Sequence, residues 1–220
     1  MEMPAVLKQL LENLIVGQKQ DSIKQSAERL SHRYRNEKRN GQNLINGKND
    51  SVAYAVSRMP ATFGALSFVL GQSASLPDFF PETMVDAGAG TGSAVWAASC
   101  FFDLQSVTCL ERSPDMRAVG EKLTESAQNF FSAPPVWRDF DLIRDNIPRA
   151  DLVTASYVLN ELNEKDRLNA LLKLWNATQN VLVLVEPAMP ENFRHIKEYR
   201  KTLIGNGAFI TAPARIKTTV

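Results

Sequence analysis

The residues best suited to chemistry gather around one loop, Asp86-Ala87-Gly88-Ala89-Gly90-Thr91-Gly92. Glycine at every second position lets the backbone turn sharply and approach a ligand with no Cβ in the way. The loop follows a short apolar run and opens a helical pattern near Ser93, whose free N–H groups would favour an electron-rich group. A dinucleotide loop reads G-x-G-x-x-G, a spacing set by contact with pyrophosphate. This loop reads D-x-G-x-G-x-G, with an acid leading. A second acid, Glu111, ends the next apolar run nineteen residues beyond Gly92. A carboxylate at that place can accept both hydroxyls of a ribose.

The D-x-G-x-G-x-G pattern resembles the first motif of class I S-adenosylmethionine-dependent methyltransferases. The resemblance implies a ligand with a sulfonium, an amino-acid end and an adenosine, and no phosphate. It assigns cofactor contacts to Asp86, Ala87, Gly88, Gly90, Gly92, Glu111, Asp139 and Tyr157. Asp86 would order the loop and meet the ammonium directly or through water. Asp139 would meet the adenine amino group, with Asp141 a competitor that spacing does not exclude.

Methyl transfer from a sulfonium needs in-line positioning, and a base if the nucleophile carries a proton. The segment expected to face the methyl group is Ser156-Tyr157-Val158-Leu159-Asn160-Glu161. It is not the N-P-P-Y type of amino-group nucleic-acid methyltransferases. Neither Cys100 nor Cys109 stands where a cytosine-C5 enzyme places its nucleophile. Tyr157 would shape the pocket. Glu161 is either a base or an acid suited to the start of the next helix, and no catalytic residue is assigned.

Positioning these groups requires a parallel sheet. Apolar runs at Thr83–Asp86, Ser106–Leu110, Leu152–Ser156 and Val181–Val185 read as strands, with a weaker one near Val136-Trp137. Helical patterns at Ser93–Phe102, Pro114–Phe131 and Glu164–Thr178 separate them, so the fold class is α/β, Rossmann-like. Before them, Leu7, Leu10, Leu11 and Leu14 recur at helical spacing and Gly17 stops that helix. A second helix carries Ile23, Ala27, Leu30 and Tyr34 on one face and ends near Asn40-Gly41. A third begins at Asp50 or Ser51 and is expected to break near Met59, because Pro60 disfavours helix in the residue before it. A fourth runs from Phe63 to Leu70. The division is therefore a helical module, 1–75, and a cofactor-binding domain, 76–220.

Further stretches narrow the resemblance. Leu30-Ser31-His32-Arg33-Tyr34-Arg35, Ala53-Tyr54-Ala55-Val56-Ser57-Arg58-Met59-Pro60-Ala61-Thr62, Ala150 to Leu162, and Val185-Glu186-Pro187 resemble the methyltransferase-like small-ribosomal-subunit family. Its members are mitochondrial small-subunit assembly factors and bacterial predicted rRNA methylases. The resemblance implies either methyl transfer to rRNA or another ribosomal target, or assembly of the small subunit without transfer. Small-molecule methylation is the third reading. Family members continue into a cysteine-rich stretch able to hold an iron–sulfur cluster. This sequence has no cysteine beyond Cys109, so no such cluster is expected, and the closing strands of a full methyltransferase sheet are expected to be missing.

Charge is unevenly spread, and its basic ends read either as phosphate contacts or as two solvated helix faces. Formal net charge is +1, yet residues 81–166 hold fourteen Asp and Glu against seven Lys and Arg. Arg29–Lys48 and Arg194–Lys217 each hold six Lys and Arg against one Glu. The family resemblance implies that Arg33, Arg35, Lys38 and Arg39 are candidate phosphate contacts, which would make RNA binding salt-dependent. No apolar run approaches the ~20 residues of a membrane span. The start lacks the features of a secretory or organellar presequence, so a cytoplasmic location is expected. Two cysteines make neither a disulfide framework nor a usual zinc pattern and read as buried thiols, while His32 and His195 read as surface residues.

Overall fold

A computed structural model describes residues 1–18, 20–36, 45 and 47–212, with only the backbone at 20 and 34–36. Five parallel strands form one sheet: β1 (Thr83–Ala87), β2 (Ser106–Leu110), β3 (Val136–Arg138), β4 (Ala150–Ser156) and β5 (Thr178–Val185). Their order is β3-β2-β1-β4-β5. The chain works outward from β1 to one edge and then crosses to the other. The crevice at that reversal, above the ends of β1 and β4, is where such sheets bind ligands. At the opposite end Asp151 accepts hydrogen bonds from the Thr83 hydroxyl and from the N–H groups of Glu82 and Thr83, pinning β4 to β1.

Each sheet face has its own core. One face, with Met84, Val107, Cys109 and Leu152, packs under α1 (Ala5–Ile15), α2 (Gln20–Asn36), α3 (Lys48–Ser73), α4 (Ser93–Ala98) and α5 (Pro114–Glu125). The other, with Val85, Ala87, Leu110 and Val153, packs against α6 (Glu164–Ala177) and α7 (Pro190–Gly205). The N-terminal helices therefore share a continuous core with the sheet. Helix α1 buries Leu7, Leu11 and Leu14, one stripe of an amphipathic helix, each worth about 2 kcal/mol.

The expected break at Pro60 does not occur: α3 is one helix from Lys48 to Ser73. Pro60 points to solvent, while Met59, Phe63, Leu66 and Leu70 are buried. Burial on both sides of the proline outweighs the ~3 kcal/mol it costs a helix interior. Gly71 does not stop α3 either; the ring of Phe101 packs 3.3 Å from where a Cβ would stand. Conversely, α4 ends at Ala98 rather than Phe102, and the pattern to Phe131 divides into α5 and a 3-10 turn at Gln128–Phe130. The expected end of α2 near Asn40-Gly41 lies outside the described residues. Among the described residues no strand follows β5, and no helix is long and apolar enough to cross a membrane.

Candidate functional site: a cleft above β1 and β4

The glycine loop holds its own shape. Gly88, Gly90 and Gly92 have φ of 72°, 58° and 92°, left-handed values that side chains rarely adopt. The N–H groups of Gly88 and Ala89 donate to the carbonyl of Leu110 at 2.8 and 3.0 Å, and that of Gly92 to Ala89 at 2.8 Å. Gly90 donates to Glu111 Oε2 at 2.8 Å, while Glu111 Oε1 accepts from Ser113 N–H at 2.7 Å. Four N–H groups of the loop are thus spent on the protein's own acceptors, not arrayed for a phosphate. Nor does α4, only six residues long, supply a long helix dipole. Carboxylates and aromatic rings line the cleft beside the loop, among them Glu111, Asp141, Tyr54 and Tyr157.

The cleft brings Gly88, Gly90, Glu111 and Tyr157 together. Val158 lies only 2.7 Å from where a Cβ on Gly88 would stand, so this position has no room for a side chain. Burial pushes the Glu111 carboxyl up, opposed by the Ser113 and Gly90 hydrogen bonds and by Arg112 and Arg117. Tyr157 has φ of 59°, unusual for a bulky residue, and donates its N–H to Val185 at 2.8 Å.

Other expected residues stand elsewhere. Ala87 is fully buried as the last residue of β1. Asp86 is also fully buried, behind the loop; its Oδ1 accepts from the Thr154 hydroxyl at 2.7 Å, and Oδ2 has no partner. Burial pushes its carboxyl up to about 7, against the Thr154 hydrogen bond and with help from Glu111. Gly92 serves packing: Trp137 lies 3.3 Å from its absent Cβ and also covers Gly120. Asp139 is 77% exposed in its side chain and pairs with Arg117 at 3.2 Å. Asp141 lines the cleft instead, its Oδ1 accepting from Ile143 N–H at 2.9 Å.

Sequence patterns missed Tyr54 of α3 and Ile45, which line the same cleft from the N-terminal side. A phenol on a helix otherwise rich in apolar residues, one turn before Arg58, was the available signal. Glu161, in the 3-10 turn Leu159–Glu161, lines it as well. Of the candidate phosphate contacts, Arg33 is half-buried on α2. The Arg35 side chain, Lys38 and Arg39 lie outside the described residues. Cys109 is buried, but Cys100 only partly so. His195 is half-buried, not superficial: it stacks on Tyr199, and its Nδ1 has no partner.

Residues 48–217 match the family described as mitochondrial small ribosomal subunit Rsm22. The chain belongs to this family. It is 31% identical over 188 residues to the human mitochondrial ribosome assembly protein METTL17, a match covering 81% of this chain and 40% of METTL17. The chain thus spans well under half the length of that curated relative. Among solved structures it resembles a candidate RNA methyltransferase from Pyrococcus horikoshii, with a TM-score of 0.51 and 24% identity over 66% of this chain and 69% of that one. It also resembles the mitomycin 7-O-methyltransferase MmcR, with a TM-score of 0.51 and 22% identity over 77% of this chain and 53% of that one. At these identities the likeness is one of fold: the sheet is that of class I methyltransferases. The expected cytoplasmic location is overturned, because the family description and the METTL17 name are both mitochondrial.

Proposed function

We propose that this Rsm22-family chain binds S-adenosylmethionine in the cleft above β1 and β4 and serves the small ribosomal subunit, with rRNA its target. The observation that carries the ligand is the loop with four N–H groups already satisfied, beside Glu111, the carboxylate that directly follows β2. A pyrophosphate would find few donors there, whereas a ribose diol would find Glu111. The unpartnered Asp86 Oδ2 behind the loop suits a cofactor carrying an ammonium, reached through water. Residues Gly88, Gly90, Glu111 and Tyr157 would hold the cofactor, with Asp141 better placed than Asp139 to meet the adenine end. The cofactor supplies an electrophilic methyl group. Tyr157 and Val158 would limit the space around it, and Glu161 is a cleft-lining carboxylate that would take a proton from an acceptor.

The family and the METTL17 relative support the ribosomal part of this reading. The helical module, 1–75, would carry Arg33 toward RNA while the domain 76–220 holds the cofactor. Calorimetry with S-adenosylmethionine and S-adenosylhomocysteine tests the site: Glu111→Ala should weaken binding about thirtyfold, the worth of a charged hydrogen bond. Absence of heat with both nucleosides would end the reading. Incubating labelled cofactor with small subunits separates the two modes of action. Label in rRNA establishes a methyltransferase; retention on the subunit without label establishes a non-catalytic assembly factor. Arg33→Glu should reduce RNA retention at low salt and flatten its salt dependence.

A further inference from the structure

The N-terminal end of the cleft has its own chemistry. Tyr54 arrives from α3, Tyr157 from the turn after β4, and Glu161 from the 3-10 turn that follows; all three line the cleft that contains Gly88, Gly90 and Glu111. Two aromatic rings beside a carboxylate make an electron-rich wall, and such walls attract cations, most strongly where water is excluded. The charged residues of the lining point the same way: Glu111, Asp141 and Glu161 stand against Arg112. Arg58, one turn after Tyr54, is a positive charge that acts on that phenol in the opposite sense.

We propose that Tyr54, Tyr157 and Glu161 form a cation-selective end of the cleft, which holds the sulfonium nucleoside in preference to its neutral thioether product. The inference rests on the S-adenosylmethionine reading above and extends it to which form of the nucleoside the protein retains. Both phenols stay neutral. Burial raises Tyr54, and Glu161 and Glu111 raise it further; burial and then Glu186 raise Tyr157. The left-handed backbone at Tyr157 also fits a constrained role. A bulky residue is held at φ of 59° only where its surroundings over-determine it, here by the hydrogen bond to Val185 that ties the turn to β5.

Calorimetry on the full chain reads the selectivity directly, using S-adenosylmethionine, S-adenosylhomocysteine and sinefungin, whose amine carries a charge where the sulfonium stands. The wild type should bind both cations about tenfold more tightly than the thioether. Tyr54→Leu and Glu161→Gln should bring that ratio close to one with little change in thioether affinity. Tyr54→Phe, which keeps the ring, should retain most of it, and thermal melts of each variant establish that it is folded. Equal wild-type affinities, or variants that weaken all three ligands alike, would overturn selectivity. Thioether binding that disappears in Glu111→Ala would then show that the nucleoside site itself stands. No binding of any of the three would overturn both inferences.

Discussion

The glycine loop and helix α3 border the same cleft but are held in place by different means. The loop is fixed by its own backbone: three left-handed glycines and N–H groups spent on Leu110, Ala89 and Glu111. Helix α3 is fixed by what it buries, and keeps its course through a proline because Met59, Phe63 and Leu66 are all enclosed. A locally determined element leaves its mark in sequence, since glycine is needed where φ is positive. A packed element leaves only an apolar stripe, and the stripe says nothing of which polar side chain reaches a site. The difference teaches where substitutions will be felt.

The largest effect should come from the loop. Gly88→Ala puts a side chain on left-handed backbone and against Val158. It should cost about 3 kcal/mol in chemical denaturation and abolish nucleoside binding. A well-bound, undiminished variant would mean that the loop is not self-determined. Pro60→Ala probes α3 with the opposite sign. Because the helix already runs through this exposed position, restoring an N–H should raise stability by about 2 kcal/mol and leave nucleoside affinity unchanged. A fall in stability would show that the proline is needed where it stands.

A smaller effect is expected where α3 meets α2. Arg29, half-exposed, donates to the buried Asp50 near the start of α3 and also to Ser26. Arg29→Ala should lower stability by about 1 kcal/mol, the exposed side of the pair being weakened by solvent. Nucleoside affinity should fall only slightly.

The last probe is a slope. Asp86 rises from an ordinary 3.8 to about 7 in the folded chain, so the folded state binds its proton more tightly than the unfolded state. Its contribution to stability is therefore fully present below 3.8 and is lost as pH rises through about 7. Glu111, raised in the same direction, adds to the fall. Denaturation at intervals between pH 4 and 8 should show a shallower decline in Asp86→Asn than in the wild type. Identical slopes would remove Asp86 from the account.

Particular residues show what the sequence made legible. Apolar runs located the strands, most clearly β1 and β4, which are buried on both faces and read as continuous apolar chain, and least clearly β3, whose Val136 and Arg138 are exposed. The position of Glu111 at the cleft was legible from its distance to the loop, since a βαβ unit fixes where the second strand ends. Tyr54 was not found, because it reaches Tyr157 only through the packing of α3 over the sheet. Trp137 was not found either: its fit over Gly92 and Gly120 joins residues on three elements, and turned a glycine assigned to the ligand into one required by a ring. Asp139 and Asp141 could not be separated by spacing, since the turn after β3 decides which side chain meets Arg117 and which meets the cleft.

Tyr54 also makes α3 part of a thermodynamic linkage. One wall of the cleft belongs to this helix and the other to the sheet, so any fluctuation that parts them also empties the cleft. A nucleoside present at a hundredfold excess over its Kd would make that opening about 2.7 kcal/mol more costly. With the proposed nucleoside bound, hydrogen exchange at the α3 amides would become a gauge of its free concentration, slowing as the pool fills and quickening as it drains.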